Sequence, residues 1–143
     1  GNVYSAAKAQ KVLEDTGAAG LMIGRGAIRN PWLFHQIRQT QNGETPFIPK
    51  GHDVLNYLKD LFETVRPPSL RERSHVQKMK KYFNYIGIGI EPTGEFLHRI
   101  RRATDTKGIF VICEEYLNHD QPMPLEPFDL ELKPRDVLAG EHR

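Results

Sequence analysis

The chain has 143 residues, 38% of them apolar, with 20 Lys or Arg against 18 Asp or Glu and a formal net charge of +2. That length can bury a sizeable core, while no apolar run approaches the roughly 20 residues a helix needs to cross a bilayer. One cysteine excludes an internal disulfide framework and fits a reducing compartment; with no basic and apolar leader at the start, the cytoplasm is the expected location. The charge is uneven. Residues 69–107 carry nine Lys or Arg against four Asp or Glu, and residues 108–143 carry three against eight. A basic middle points to a local surface for an anionic partner.

In chain order, Ser5 is a good helix N-cap, Ala6, Ala9, Val12 and Leu13 form an apolar stripe, and Thr16-Gly17 closes the helix. Leu21 to Ile23 is a short apolar run ended by Gly24, the pattern of a buried strand. Asn30-Pro31 opens the next helix, with Asn30 as cap and Pro31 at the first helical position, running to about Gln41. At this spacing Trp32 belongs to the core rather than to recognition. Residues 42–51 hold Gly43, Pro46, Pro49 and Gly51 and make a connector.

Beyond it the pattern is helical. His52 or Asp53 starts a helix with Leu55, Leu58, Leu61, Phe62 and Val65 on one face, stopped by Arg66-Pro67-Pro68. Ser69 caps a long helix carrying Val76, Met79, Phe83 and Ile86. Gly87 to Pro92 breaks the periodicity, and Thr93 caps a short helix with Phe96, Leu97, Ile100 and Ala103. Asp105 or Thr106 opens the last, with Ile109, Phe110, Ile112, Cys113, Tyr116 and Leu117. Four amphipathic helices with short connections predict an antiparallel bundle. The tail from Asn118, with Pro122, Pro124, Pro127 and Pro134 among acidic residues, is expected to be extended or partly disordered. The alternation of Phe128, Leu130 and Leu132 with Asp129 and Glu131 would suit a short docked strand there.

Two stretches carry chemistry. Gly24-Arg25-Gly26 follows the predicted strand. Glycines let a bound group approach the main chain, exposed amides form an anion-binding concavity, and a guanidinium adds a planar fork of donors. The alternative is a tight turn with a solvated arginine. The second stretch is basic: Arg71, His75 and Lys78 share a stripe of the long helix with Lys81 a step further, and His98, Arg99, Arg101 and Arg102 surround the apolar face of the next. RNA is held by such cations through shape and phosphate contacts, although an ordinary solvated face has the same composition. Cys113, on an apolar face, is expected to be a buried structural thiol. The six histidines have no metal-ligand spacing, and Glu114-Glu115 and Asp129/Glu131 look like surface pairs. No catalytic residue and no metal site is assigned.

Gly20-Leu21-Met22-Ile23-Gly24-Arg25-Gly26-Ala27, continued by Asn30-Pro31-Trp32-Leu33-Phe34, closely resembles the end of the catalytic barrel in tRNA-dihydrouridine synthases. Gly1-Asn2, Ser5, Ala9 and Thr16-Gly17-Ala18 fit the same family upstream, although family members usually have glycine where this chain has Val3. The likeness is specific to about Arg38, looser to Leu117 and absent in the tail. It implies a mostly α chain: the last βα unit or units of a (β/α)8 TIM barrel, followed by an antiparallel helical bundle. Residues 1–41 would be the incomplete end of an FMN-binding barrel, 42–51 a linker, 52–117 a helical tRNA-binding domain and 118–143 a Pro-rich acidic tail.

The resemblance assigns FMN phosphate contacts to Asn2, Gly24 and Arg25, in loops where such barrels often hold phosphate. It tips the basic stripes toward tRNA, through Arg71, His75, Lys78, Lys81, Arg99 and Arg102. In the enzymes it resembles, NADPH reduces bound FMN, hydride passes to a uracil ring flipped out of tRNA, and a cysteine from an earlier barrel loop supplies a proton. A chain with one or two of eight strands would be a C-terminal part, inactive alone and prone to self-association through uncovered barrel surface. Neither membrane nor DNA is an expected partner. Two rivals are a fragment of another FMN-dependent barrel acting on a small molecule and a non-catalytic helical RNA-binding or interaction module.

Overall fold

The computed structural model describes residues 3–17, 24–66, 68 and 71–128. The run 21–23, expected as a strand, and the cap expected at Ser69 lie outside these residues, as does Asn2. The described residues form seven α-helices and no strand: α1 (Ala6–Thr16), α2 (Arg25–Arg29), α3 (Leu33–Gln41), α4 (Gly51–Thr64), α5 (Glu72–Ile86), α6 (Glu95–Arg102) and α7 (Thr106–Leu117). A short 3-10 turn, Gly87–Gly89, follows α5. No described helix is long and apolar enough to cross a membrane.

Local chemistry sets most boundaries. Ser5 Oγ accepts from the Lys8 amide at 3.1 Å at the start of α1, and Gly17 ends it in the left-handed region (φ 66), its amide donating to the Leu13 carbonyl. Asp105 caps α7 by accepting from the Gly108 amide at 2.7 Å. At α6 the work is shared. Glu91 accepts from the Phe96 and Thr93 amides, Thr93 Oγ1 accepts from the Glu95 amide, and Gly94 (φ 84) makes the turn just before the helix.

Two expectations are corrected. Pro31 is not the first residue of α3. Pro31 and Trp32 form a turn, and the helix begins at Leu33, with Asn30 Oδ1 accepting from the Trp32 amide at 3.0 Å. Nor is Gly24-Arg25-Gly26 only a turn, because Arg25 and Gly26 already belong to a one-turn helix of their own.

The main core lies among α4 to α7. Leu58, Met79, Phe83, Ile86, Phe96, Ile100, Ile109 and Leu117 are fully buried there. Phe96 meets Phe83 and Tyr116 edge-on, with ring centres 6.0 and 5.2 Å away. Helix α4 packs on α7, and α6 touches both α5 and α7, while α1 packs on α3 and α2 leans on α5. Trp32 is half-buried against this core, its ring 6.1 Å from Phe47 and 6.0 Å from Tyr57, the packing role expected of it.

The start of the proline-rich tail is extended and docked. The Met123 amide donates to the Pro49 carbonyl at 2.7 Å, the Gly51 amide to Gln121, and Lys50 and Pro122 form an antiparallel bridge. Met123 and Leu125 enter the core, and the Phe128 amide reaches the Ile88 carbonyl at 2.8 Å. Leu125 holds left-handed backbone (φ 62), uncommon outside glycine, while its side chain is 1% exposed.

Candidate functional site

The first candidate element is the start of α2. Gly24 is exposed at the N-cap, and nothing lies within 4 Å of where a Cβ would stand. Arg25 is exposed at the first helical position and Gly26 is buried behind it. The amides of Arg25 and Gly26 precede the first intrahelical bonds, as in any helix, and the ladder begins with Ala27 donating to the Gly24 carbonyl at 3.0 Å. Open space over a glycine and an exposed guanidinium at a helix start suit a small anion.

The far end of α2 is fastened. Arg29 is 8% exposed, and its Nε donates to the Tyr85 carbonyl at 2.8 Å, near the end of α5. Tyr57 Oη on α4 donates to the Ile28 carbonyl at 2.6 Å. Burial pushes the Tyr57 hydroxyl up to about 12, with Tyr82 adding to it, so it remains a donor at neutral pH. Neither contact had a signal in the sequence, since each joins residues 29 or 56 positions apart.

The second element is cationic. An open groove of about 610 Å³ runs along α5, lined by Arg73, Lys78, Lys81, Tyr82 and Tyr85 among others. Arg71, at the N-cap of the same helix, is exposed. Across the helix pair, Lys80 Nζ donates to the Arg101 carbonyl at 3.0 Å, and the Arg101 guanidinium donates to Asn84 Oδ1. Both cations bond neutral oxygens rather than carboxylates in these contacts. Arg101 belonged to the basic stretch read from the sequence, whereas Arg73 and Tyr85 were not singled out there. Tyrosines interleaved with the cations of α5 were the available signal for the groove.

Two expected contacts are placed differently. His75 is not on the cationic face. It is 7% exposed, its ring stacked 3.6 Å from that of Phe62 and its Nε2 against the Phe62 carbonyl. It lies one residue from the buried Val76, on the margin where the polar stripe meets the core. Arg99 is exposed in part but committed: both terminal nitrogens hold Glu115, at 2.5 and 3.0 Å. Arg102 is exposed and borders a separate shallow hollow with Arg99 and Asp105. Cys113 is fully buried, and burial, with Glu114 adding, pushes its thiol up to about 12, as expected of a structural thiol. No group of three or more His, Cys, Asp or Glu among the described residues could hold a metal ion.

The family model described as dihydrouridine synthase matches residues 1–117, from before the Gly24 turn to the end of α7. The chain belongs to the dihydrouridine synthase family. A probable tRNA-dihydrouridine synthase of Helicobacter pylori is 29% identical over 137 residues, 96% of this chain and 40% of that protein. The tRNA-dihydrouridine synthase B of Pasteurella multocida is 28% identical over 136 residues, 82% of this chain and 36% of that protein. A probable tRNA-dihydrouridine synthase of Rhodobacter capsulatus is 35% identical over 66 residues. The chain spans about 40% of the length of the first of these relatives.

Proposed function

We propose that the chain is the C-terminal part of a tRNA-dihydrouridine synthase, contributing part of the FMN phosphate cradle and a helical surface that holds tRNA. The observation that carries this reading is that one family match runs unbroken through both the Gly24-Arg25 turn and the basic helices. Residues 1–41 would complete a (β/α)8 barrel, 42–51 would link it to a helical tRNA-binding domain at 52–117, and 118–143 would be a tail. The site of work would be the cytoplasm.

In that enzyme Asn2, the Gly24 region and Arg25 would grip the terminal phosphate of FMN. The exposed guanidinium and the open approach to Gly24 fit a dianion. FMN held there would supply, once reduced by NADPH, the hydride for the 5,6 double bond of a uridine. This segment supplies positioning. Arg71 at the N-cap of α5, Lys78 and Lys81 on it, and Arg102 on α6 would meet tRNA phosphates; Arg73 lines the same groove as Lys78 and Lys81, and Lys80 and Arg101 would add charge where α5 meets α6. Tyr82 and Tyr85 offer ring faces to an unstacked base. Arg99 would join only after leaving Glu115, and His75 takes no part.

The test is dihydrouridine formation on unmodified tRNA with FMN and NADPH. The full-length enzyme is expected to form it, and this 143-residue chain alone is expected to bind tRNA and form none. Turnover by the isolated chain would overturn the assignment of the remaining machinery to another part of the protein. Absence of tRNA binding would overturn the role given to α5 and α6.

A further inference from the structure

We infer that Arg29 and Tyr57 are positioning residues that set the spacing between the flavin-phosphate turn and the tRNA-facing helix α5; the inference rests on the functional reading just given. Helix α2 is a single turn of five residues, too short to be stable on its own propensity. Its first residue, Arg25, is exposed at the candidate phosphate site, and its last, Arg29, is buried. Its C-terminal end is where the described hydrogen bonds to other helices gather.

Two contacts from different helices fasten that end. Tyr57 of α4 donates to the Ile28 carbonyl at 2.6 Å, satisfying a helix-end acceptor that has no intrahelical donor. Arg29 donates to the Tyr85 carbonyl at 2.8 Å, placing a guanidinium at the partially negative end of α5. Tyr85 also borders the groove that contains Lys78 and Lys81. One guanidinium thus connects the helix bearing Arg25 to the helix bearing the proposed tRNA contacts.

Gly89 makes the connection sterically feasible. A Cβ there would stand 2.9 Å from Arg29 Cδ and 2.9 Å from the Leu125 carbonyl, so the Arg29 stem runs through space that only glycine leaves open. Ile28, packed against the main core, adds an apolar contact to the same fastening. Four features converge on the end of α2 opposite Arg25, and holding a site at a fixed distance requires such a fastening.

The signature of positioning is that both ligands still bind while their reaction slows. In the full-length enzyme, Tyr57→Phe removes one hydroxyl and keeps the ring that meets Trp32, while Arg29→Gln removes the charge. Each is expected to retain bound FMN and to bind tRNA within about twofold of the parent, while the dihydrouridine turnover rate falls about tenfold or more. Arg29→Lys, which keeps a cationic donor, should recover part of that rate. Turnover unchanged in both variants would overturn the inference. So would turnover, FMN content and tRNA affinity falling together in proportion to the folded fraction, measured by circular dichroism on the same samples. Failure of the parent enzyme to make dihydrouridine would instead remove the functional reading beneath it.

Discussion

Arg99 holds Glu115 with both terminal nitrogens, at 2.5 and 3.0 Å, while its guanidinium carbon sits 5.7 Å from the centre of the Tyr116 ring. The hydrogen bond with Arg99 holds the Glu115 carboxyl below the usual carboxylate range, and the same bond raises Arg99. A guanidinium so engaged must give up a bidentate partner before it can meet a phosphate. Glu115→Gln is therefore expected to tighten tRNA binding by about two- to fivefold at low salt, because a released cation adds one phosphate contact. Arg99→Ala in the parent should weaken binding less than Lys81→Ala does. Titrations by fluorescence anisotropy would check both, and an unchanged affinity in Glu115→Gln would contradict this account of the pair.

His75 belongs to the interior. Its ring stacks on Phe62 and fills space between α4 and α5. Replacement by alanine leaves a cavity and an unpaired Phe62 carbonyl, a loss of about 2–4 kcal/mol. Urea unfolding should register that loss, whereas tRNA affinity, corrected for folded fraction, should match the parent.

Glu91 gives the fold an acid-sensitive joint. Burial opposes its ionisation, but hydrogen bonds from Thr93 and from the Phe96, Thr93 and Glu95 amides outweigh it and leave its pKa lowered. A carboxyl lowered in the folded state stabilises above its ordinary value of 4.5, and the gain is lost as pH falls through the folded value. The melting temperature should decline on acidification through that window. Glu91→Gln should lower stability at neutral pH and make the decline shallower, as thermal scans at stepped pH would reveal.

Cys113 should resist a disulfide-exchange reagent while the chain is folded. Its thiol is fully buried and pushed up to about 12, so the reactive thiolate is scarce near pH 8. The expected outcome is labelling about 100-fold slower in buffer than in denaturant. Equal rates would mean that Cys113 is not buried in the core against which α7 packs.

The four helices α4 to α7 were legible because their apolar spacing is what becomes buried: Leu55, Leu58 and Phe62, then Val76, Met79, Phe83 and Ile86, then Phe96, Leu97 and Ile100, then Ile109, Ile112 and Cys113. Asp105 was legible as a cap because capping is local. What escaped was decided at a distance. Helix α2 hid behind two glycines and exists through Tyr57 and Arg29, whose acceptors are 29 and 56 residues away. Arg99 looked free because Glu115 lies 16 residues further on. His75 has the i, i+3 spacing of a cationic stripe, yet adjoins Val76 and turns inward with it. In the tail, prolines concealed Met123, held by a main-chain bond to Pro49, and Leu125, buried two residues further on.

The central claim is that the basic face of α5 and α6 holds tRNA by its phosphates. The most direct measurement is tRNA affinity of this chain across a salt series, for the parent and for Lys78→Ala, Lys81→Ala and Arg101→Ala. The account predicts an affinity that falls steeply with salt, and a log–log slope that becomes shallower by about 0.7–0.9 with each cation removed. Binding that ignores salt, or slopes identical in the parent and all three variants, would contradict it.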